Sequence, residues 1–483
     1  MSSIEIIFLL YLFALISIGS WTYKYNKTQE DYLLAGRTLG PWVTAFSERA
    51  SGESAWLLLA LPGAVITIGL SVSWSVLGIL IGIISSWYLI AEKLRSETQK
   101  YNSLTIPDYL HKRFDDSSNI IRIFSAIIIA FFFLFYVSAQ FHASGKVLNS
   151  LFNFNPIVGI TIGAFVIISY TLMGGFIAVA WTDLIQGILM IGTLVILPLV
   201  GFFELVGSDI SIANGWEVSE KIFQNNNSSI FKGETGFGAF AIALSGLSWG
   251  LGYLGQPHLL IRFMAIRSTE DIPLARKIAI IWAIPAVVGA FFIGVVAILY
   301  FGPLFFQNID PEQAMPLLAK NLLHPIIAGL FISGAVAAMM STADSQLLVT
   351  ASALTEDLFK SYKIRKWSST NMVQLTRLII IVIGLIAYIL AVFSEINGKD
   401  IFSVVSYAWS GLGSSFGPVL IMSLWWKRIN RYGAIAGLVT GFFTTIIWAN
   451  ISFLNSIITE RFSSFIFSFL ALYIVSIYYD DKA

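Results

Sequence analysis

Long apolar segments separated by short polar loops run through the whole chain. A helix of about 20 mainly apolar residues spans the hydrocarbon core of a bilayer, and this criterion predicts thirteen transmembrane helices. Several contain polar residues, which a spanning helix tolerates where protein or a water-filled cavity surrounds them. The predicted spans are 3–23, 41–70, 74–92, 120–149, 156–178, 184–206, 237–257, 278–302, 326–354, 375–393, 401–424, 433–455 and 462–478.

The basic residues predict how these helices are oriented. With the N-terminus outside the cell, twenty of the 29 Lys and Arg residues, Arg262 among them, fall in inside loops. Five, including Arg461, fall in outside loops, and four lie within spans or at their ends. Because cytoplasmic loops carry the excess of positive charge, we expect the N-terminus outside and the C-terminus inside.

Composition places the chain among integral membrane proteins. Of its 483 residues, 57% are hydrophobic and 12% charged, and the mean hydropathy is +0.79, outside the range of soluble globular domains. The formal net charge of +1 gives no sign of a nucleic-acid partner, and the absence of cysteine excludes disulfides and thiolate metal sites. The first apolar run has no positive residue before it, so we expect a retained helix. Neither an HExxH nor a GxSxG setting occurs, and we do not expect an enzyme.

The stretch FSERASGESAWLLLALPG, residues 46–63, interrupts the second span with polar and charged side chains. Glu48, Arg49 and Glu53 surround Ser51 and Gly52. Broken helices of this kind form binding sites in secondary transporters, because their half-helix ends offer unpaired N–H and C=O groups. The alternative is a kinked helix whose Glu/Arg pair serves packing alone.

A second interruption, SGLSWGLGYLGQPH at residues 245–258, lies in the seventh span. The spacing of five spans between the two breaks is the one an inverted five-plus-five repeat requires. Its GxGxxG pattern lies mid-membrane rather than in a βαβ unit, which favours close packing or unwinding over nucleotide binding. Trp249 and Tyr253 share a helix face and line either a binding site or the core.

The ninth span carries hydroxyl groups in AVAAMMSTADSQ, residues 335–346. Ala338, Ser341, Thr342 and Ser345 lie within one or two helical turns of each other. Hydroxyl and carbonyl oxygens suit sodium, a hard cation, although such hydroxyls commonly bond to their own helix. Asp344 is either an intramembrane functional carboxylate or a residue at the inner interface.

Several long motifs resemble the sodium/solute symporter family, most closely its bacterial sodium/proline branch. They are DYLLAGRTLGPWVTAFS, WLLLALPGA, LTIPDYLHKRF, GGFIAVAWTD, WGLGYLGQPHLLIRFMA, AAMMSTADSQLLVTASALTEDLFK and VSYAWSGLGSSFGPV. The resemblance implies an all-α membrane protein with a leucine-transporter-like 5+5 inverted-repeat bundle. Within a single transporter domain, residues 1–483, it implies an extra N-terminal helix and loop at 1–40, repeats at 41–206 and 237–424, and two C-terminal helices at 425–483.

The resemblance also implies three groups of site residues. A sodium site would use the carbonyls of Ala50, Glu53 and Ala338 with the hydroxyls of Ser341 and Thr342. Similarity to the sialic-acid branch suggests a second cation site, although Asp183 could instead cap the sixth span. The substrate group is Ser54, Trp56, Tyr136, Trp249, Tyr253 and Pro257, and the second cation group is Asp183, Ser341, Asp344 and Ser345.

The expected activity is sodium-coupled import of a small zwitterion across the bacterial inner membrane by alternating access. The solute that the resemblance favours is L-proline. We expect sodium and the solute as ligands, and no obligate protein partner. This chain has Gly52 where proline symporters have aspartate, and Glu53 where they have methionine. Glu53 therefore replaces that aspartate electrostatically, pairs with Arg49, or marks a branch with another substrate. The alternatives are a proton-coupled or dual-cation symporter of another solute in the same family and, from another class, a sensor domain of the same fold.

Overall fold

The structure, a computed structural model, describes residues 3–22, 33–207, 227–359 and 369–480. Over these ranges it is helical, with one isolated β-bridge between Leu39 and Ile266. The α-helices are Ser3–Thr22, Pro41–Gly52, Leu61–Ile68, Ser73–Leu89, Ala91–Lys100, Ile106–Arg113, Ile120–Phe152, Pro156–Gly207, Gly236–Leu247, Trp249–Gly252, Pro257–Ala265, Ile272–Phe301, Ala314–Leu322, Pro325–Ser352, Ser369–Ile396, Ile401–Trp425, Arg431–Asn450, Ser452–Ile457 and Glu460–Asp480.

Each predicted span overlaps a helix or a bent pair of helices. The spans predicted at 156–178 and 184–206 share one helix, Pro156–Gly207, which kinks at Gly175 (φ 60°) instead of being interrupted between 178 and 184. In the described ranges, nine helices are long and apolar enough to cross a membrane, and counting each of two bent pairs as one span gives up to eleven. Ser3–Thr22 and Ile401–Trp425, which match the two remaining predicted spans, are helical but lie outside that count. The all-helical prediction is confirmed, as expected where lipid leaves every backbone group to find its partner within the segment.

The first break lies where the sequence predicts it. Pro41–Gly52 ends at Glu53, whose backbone leaves the helical region at φ −103° and ψ 56°. A π-helical turn, Trp56–Ala60, then leads into Leu61–Ile68, and the two halves meet at 55°. We call this pair the first broken helix.

The second break bends the chain by 42° between Gly236–Gly252 and Pro257–Ala265, which together form the second broken helix. The predicted end of this span at residue 257 is wrong, because Pro257 begins another helical segment, as the fixed φ of proline allows at a first helical position. Arg262 consequently lies inside that segment, fully buried, rather than in an inside loop. Arg461, expected in an outside loop, is likewise mostly buried, in the first turn of Glu460–Asp480.

The glycines of the second break allow helices to approach closely. A Cβ atom on Gly250 would collide with the backbone of Gly78, and one on Gly252 would collide with the Trp409 indole. The predicted packing role of the GxGxxG pattern is therefore confirmed. The helix Pro325–Ser352 passes the first break at the centre of the bundle, with every residue from Phe331 to its end buried.

Candidate functional site

The first broken helix contacts the hydroxyl-bearing helix directly at the break. The Ser341 hydroxyl lies 2.9 Å from the carbonyl oxygen of Ala50 and 3.1 Å from that of Ala338. The Thr342 hydroxyl donates to the Ser51 carbonyl at 3.0 Å. All of these residues are fully buried. Four of the five residues predicted for the sodium site thus form one cluster with Ser51.

This cluster presents oxygen atoms alone, which is the ligand set a hard cation prefers. Both hydroxyls donate to carbonyls of the break, so a sodium ion here would take over contacts that their hydrogen atoms now make. Within the described ranges, no three His, Asp or Glu side chains gather into a site for another metal. The carbonyl of Glu53, the fifth predicted ligand, stays a prediction.

The Glu53 side chain pairs with Arg49. Arg49 Nη1 donates to Glu53 Oε1 at 2.9 Å, and the Tyr253 hydroxyl donates to the same oxygen at 3.0 Å. Arg49 also binds Glu48, which accepts a hydrogen bond from Trp87 Nε1 at 3.0 Å. Of the three alternatives given for Glu53, the ion pair with Arg49 is therefore present in this structure. The contact with Tyr253 also links the two broken helices at their breaks.

A cluster of aromatic rings, which we call the aromatic enclosure, packs beside these charges. Trp56 and Trp249 stack with ring centroids 5.5 Å apart and planes at 21°, so the two breaks are in contact through their indoles. Trp409 lies edge-on to Tyr253 at 4.7 Å and to Tyr136 at 6.2 Å. All five rings are at most 1% exposed. Four of the six residues predicted for the substrate group thus line one enclosure, with Trp409 as a member that the sequence reasoning missed.

Ser54 reaches this enclosure through a second residue missed from the sequence, Gln140. Gln140 Nε2 lies 3.3 Å from the Ser54 hydroxyl, and its Oε1 accepts the Ala55 N–H at 3.2 Å. Gln140 therefore satisfies a backbone donor that the break leaves unpaired. Gln140 follows Tyr136 by one helical turn inside an apolar span, and a polar residue at that position could have indicated a site residue from the sequence.

Pro257 differs from the other predicted substrate residues. It begins the half-helix Pro257–Ala265, and its ring lines a small cavity with Ile106, Ile129 and Val349. The aromatic contacts that define the enclosure do not include it. A direct role for Pro257 in substrate binding stays a prediction.

Two of the four residues predicted for a second cation, Asp183 and Ser345, already bind a side-chain cation. Arg262 Nη2 lies 3.0 Å from Asp183 Oδ2 and 2.6 Å from the Ser345 hydroxyl. Asp344 is fully buried and accepts a weak hydrogen bond from Ser345 at 3.3 Å, and its intramembrane position stays a prediction. The capping alternative for Asp183 is wrong, because this residue lies well inside a helix and is buried.

The chain is similar to known proteins along most of its length. The model of the sodium:solute symporter family matches residues 32–441. The high-affinity proline transporter PutP of Bacillus subtilis (strain 168) is 43% identical over 464 residues, with 96% of this chain and 95% of that protein covered. The sodium/proline symporter of Escherichia coli (strain K12) is 38% identical over 475 residues, with 97% and 92% covered.

Two solved structures share the fold. A substrate-bound, outward-open Na⁺-coupled sialic acid symporter superposes with a TM-score of 0.81 at 19% identity, covering 100% of this chain and 98% of that one. MhsT in complex with L-phenylalanine gives a TM-score of 0.54 at 15% identity, with 90% and 97% covered. The predicted leucine-transporter-like fold is thereby supported. With the family model matching most of the chain and relatives this similar along nearly all of it, the protein belongs to the sodium:solute symporter family.

Proposed function

We propose that this protein is a sodium-coupled symporter that imports L-proline, or a zwitterion of similar size, across the bacterial inner membrane by alternating access. The observation that carries the proposal is the contact of Ser341 and Thr342 with the carbonyls of the first break. The relatives named as proline transporters support the substrate, and the E. coli relative, named as a sodium/proline symporter, supports the ion.

Sodium at this cluster would couple to the solute through the first broken helix. The ion would hold Ala50 against Ser341, and Ser54 and Trp56 follow within a few residues on the same segment. An ion that fixes the break therefore also fixes the wall of the aromatic enclosure. Its inward movement supplies about 2.3 kcal/mol per charge for each 100 mV of membrane potential, in addition to the concentration gradient.

The charges around the enclosure favour a zwitterion. Arg49 is engaged by both Glu48 and Glu53, so it has little capacity left for an anionic substrate. Among the atoms described, Glu53 Oε2 is buried without a hydrogen-bond partner. The secondary ammonium of proline would satisfy that oxygen, while the aromatic rings accommodate an apolar ring. The Glu53 carboxylate would thereby supply the negative charge of the aspartate that proline symporters have at the position of Gly52.

The topology we propose has thirteen spans, with the N-terminus outside and the C-terminus inside. Residues 1–40 would form the additional helix and loop, residues 41–206 and 237–424 the two inverted repeats, and residues 425–483 the C-terminal pair. The five-span separation of the two broken helices and their mutual contact support this division.

Two alternatives within the family differ in the coupling ion. Dual-cation coupling would require the second ion to displace Arg262 from Asp183 and Ser345. Proton coupling would require an acidic group to titrate during the cycle, and the buried Glu53 and Asp344 are the candidates. Neither a second ion nor a proton is needed for the contact between Ala50 and Ser341.

Proteoliposomes separate these alternatives. We expect uptake of labelled proline under an inward sodium gradient without a pH gradient, increased by an inside-negative potential. Vesicles with a pH gradient in sodium-free choline buffer are the matched control, and we expect no accumulation in them. Undiminished uptake in that control would replace sodium by protons in the proposal.

A further inference from the structure

A guanidinium lies between two carboxylates in the first half of the first broken helix. Arg49 Nε donates to Glu48 Oε2 at 2.6 Å, and Arg49 Nη2 contacts the other oxygen of Glu48, so this contact is bidentate. Arg49 makes one contact with Glu53, from Nη1 to Oε1 at 2.9 Å. All three side chains are fully buried. Because two parallel hydrogen bonds are the preferred geometry of this pair, Glu48 binds the guanidinium more completely than Glu53 does.

The charges of these three groups do not cancel. With both glutamates ionised, Glu48, Arg49 and Glu53 carry a summed charge of −1. The other hydrogen-bond partner of Glu53 among the described residues is the hydroxyl of Tyr253, which is neutral. Glu53 Oε2 has no partner among the described atoms. Since the bidentate contact pairs the positive charge with Glu48, the excess negative charge of the group is concentrated at Glu53.

Neighbouring helices fix the position of Glu48. Trp87 Nε1 donates to Glu48 Oε2 at 3.0 Å, and the Trp87 ring lies edge-on to that of Phe263 with centroids 4.6 Å apart. These two aromatic residues belong to Ser73–Leu89 and to Pro257–Ala265. A side chain that is held by packing and by a second hydrogen bond orients the group bound to it. The Glu48 carboxylate therefore determines where the guanidinium lies.

Gly52 leaves the space that this guanidinium uses. A Cβ atom at Gly52 would lie 3.7 Å from Arg49 Nη2 and 3.3 Å from the Leu259 side chain. The aspartate that proline symporters have at this position would have to share that space with both groups. The glycine and the three charged residues therefore form one unit, in which a single excess negative charge lies at Glu53 instead of at position 52.

We propose that Glu48 is a positioning residue for solute recognition: by binding the Arg49 guanidinium, it leaves the Glu53 carboxylate an excess negative charge for the ammonium group of the solute. The inference rests on the proposed function, in which that ammonium satisfies Glu53. It adds a rule of specificity, because the site selects a protonated amine over a neutral atom at the same place in a solute of the same shape. Glu48 acts through Arg49 and does not contact the solute.

The discrimination between proline and tetrahydrofuroate measures this selection. Tetrahydrofuroate has the ring size and the carboxylate of proline, with an ether oxygen in place of the ammonium. In proteoliposomes under an inward sodium gradient, the discrimination ratio is the inhibition constant of tetrahydrofuroate divided by the KM for proline. We expect a ratio of at least about 10 for the wild-type protein, the scale of one charge-assisted contact. If Glu48 served packing alone, its loss would weaken both ligands equally and leave this ratio unchanged.

Two single substitutions shift the charge in opposite directions. Glu48→Gln leaves the guanidinium to Glu53, and this neutralisation should lower the ratio about 10-fold. Arg49→Gln adds to the excess negative charge and should raise the ratio. The double variant Glu48→Gln with Arg49→Gln restores the wild-type sum and should return the ratio to within about threefold of the wild-type value. Glu92→Gln is the matched control, because it removes an exposed carboxylate from the first turn of Ala91–Lys100.

A ratio that is the same in Glu48→Gln and Arg49→Gln as in the wild-type protein would overturn the inference. A lowered ratio that the double variant does not restore would overturn it as well, because the effect would then come from a lost contact and not from the charge. If Glu48→Gln does not fold, Arg49→Gln provides the test, and an unchanged ratio in that variant contradicts the inference. Absence of sodium-driven proline uptake by the wild-type protein would instead contradict the proposed function.

Discussion

The Ser341 hydroxyl and the Ala50 carbonyl, 291 positions apart in sequence, lie 2.9 Å from each other. This contact joins the break of the first broken helix to Pro325–Ser352, which belongs to the most buried of the nine apolar spans found in the described residues. A carbonyl beside a break lacks its regular helical partner, and here a side-chain hydroxyl supplies one. A ligand that strengthens or replaces this contact therefore changes how tightly the first broken helix is bound to Pro325–Ser352.

Removal of both hydroxyls should weaken sodium coupling. In Ser341→Ala with Thr342→Ala, the carbonyls of Ala50 and Ser51 lose their partners and a sodium ion loses two ligands. We expect the sodium concentration for half-maximal proline uptake to rise about 10-fold or more, equivalent to at least about 1.4 kcal/mol. Ser333→Ala is the matched control, because its buried hydroxyl donates to the Gly329 carbonyl of the same helix. Unchanged sodium dependence would remove Ser341 and Thr342 from the site.

The side-chain charge of Glu53 can be tested separately from its backbone carbonyl. Glu53→Gln keeps the backbone carbonyl, the predicted sodium ligand, but removes the negative side-chain charge beside Arg49. We expect the KM for proline to rise about 10-fold, because the ammonium loses a charge-assisted partner, while sodium dependence changes less than about twofold. Tyr253→Phe is a control for the hydroxyl contact alone. A shift in sodium dependence without a change in KM would assign the charge to the ion site.

The indole of Trp249 is expected to contribute directly to solute binding. Trp249→Ala removes the ring that stacks on Trp56, whereas Trp249→Phe keeps an aromatic face. Aromatic pairs contribute about 0.5–1.5 kcal/mol beyond buried area, so we expect a rise of about 10-fold in KM for the alanine variant and a smaller one for phenylalanine. Membrane insertion, followed by the amount of purified monodisperse protein, should be unaffected. Wild-type affinity in Trp249→Ala would reduce this ring to a packing role.

The sequence predicted the breaks because their signals are local. Polar residues and glycines inside an apolar stretch, as at Ser51 and Gly52, conflict with a regular spanning helix. The hydroxyl helix was recognisable for the same reason, since Ser341 and Thr342 are polar residues in a buried segment. The family resemblance then supplied the pairing between these segments, which neither segment encodes by itself.

The long-range partners could not be derived from local patterns. Arg262 follows Pro257 at the end of an apolar stretch, a pattern that predicts a loop. The contact of Arg262 with Asp183, 79 positions away, depends on the fold. Gln140 and Trp409 lie in spans where a single polar or aromatic residue is equally consistent with packing. Their roles depend on contacts with Ser54 and Tyr253 that link separate helices.

Arg262 provides the sharpest prediction about the ion stoichiometry. Its guanidinium is fully buried and donates to Asp183 at 3.0 Å, to Ser51 at 2.7 Å and to Ser345 at 2.6 Å. A positive charge already bound to these oxygens repels a second cation and competes for the same lone pairs. We therefore expect one sodium ion per proline, measured as the ratio of sodium to proline fluxes at a fixed membrane potential.

Substitution of Arg262 separates this charge role from a structural one. Arg262→Gln leaves Asp183 as a buried charge without its cation, a loss of about 3–5 kcal/mol in a buried ion pair. We expect a lower unfolding temperature in sodium-free buffer, and sodium should restore stability to this variant more than to the wild-type protein, because the ion can enter the vacated position. The double variant Arg262→Gln with Asp183→Asn removes both charges and should lose the additional sodium response. An identical sodium response in Arg262→Gln and in the wild-type protein would show that these oxygens do not form a cation site even without the guanidinium.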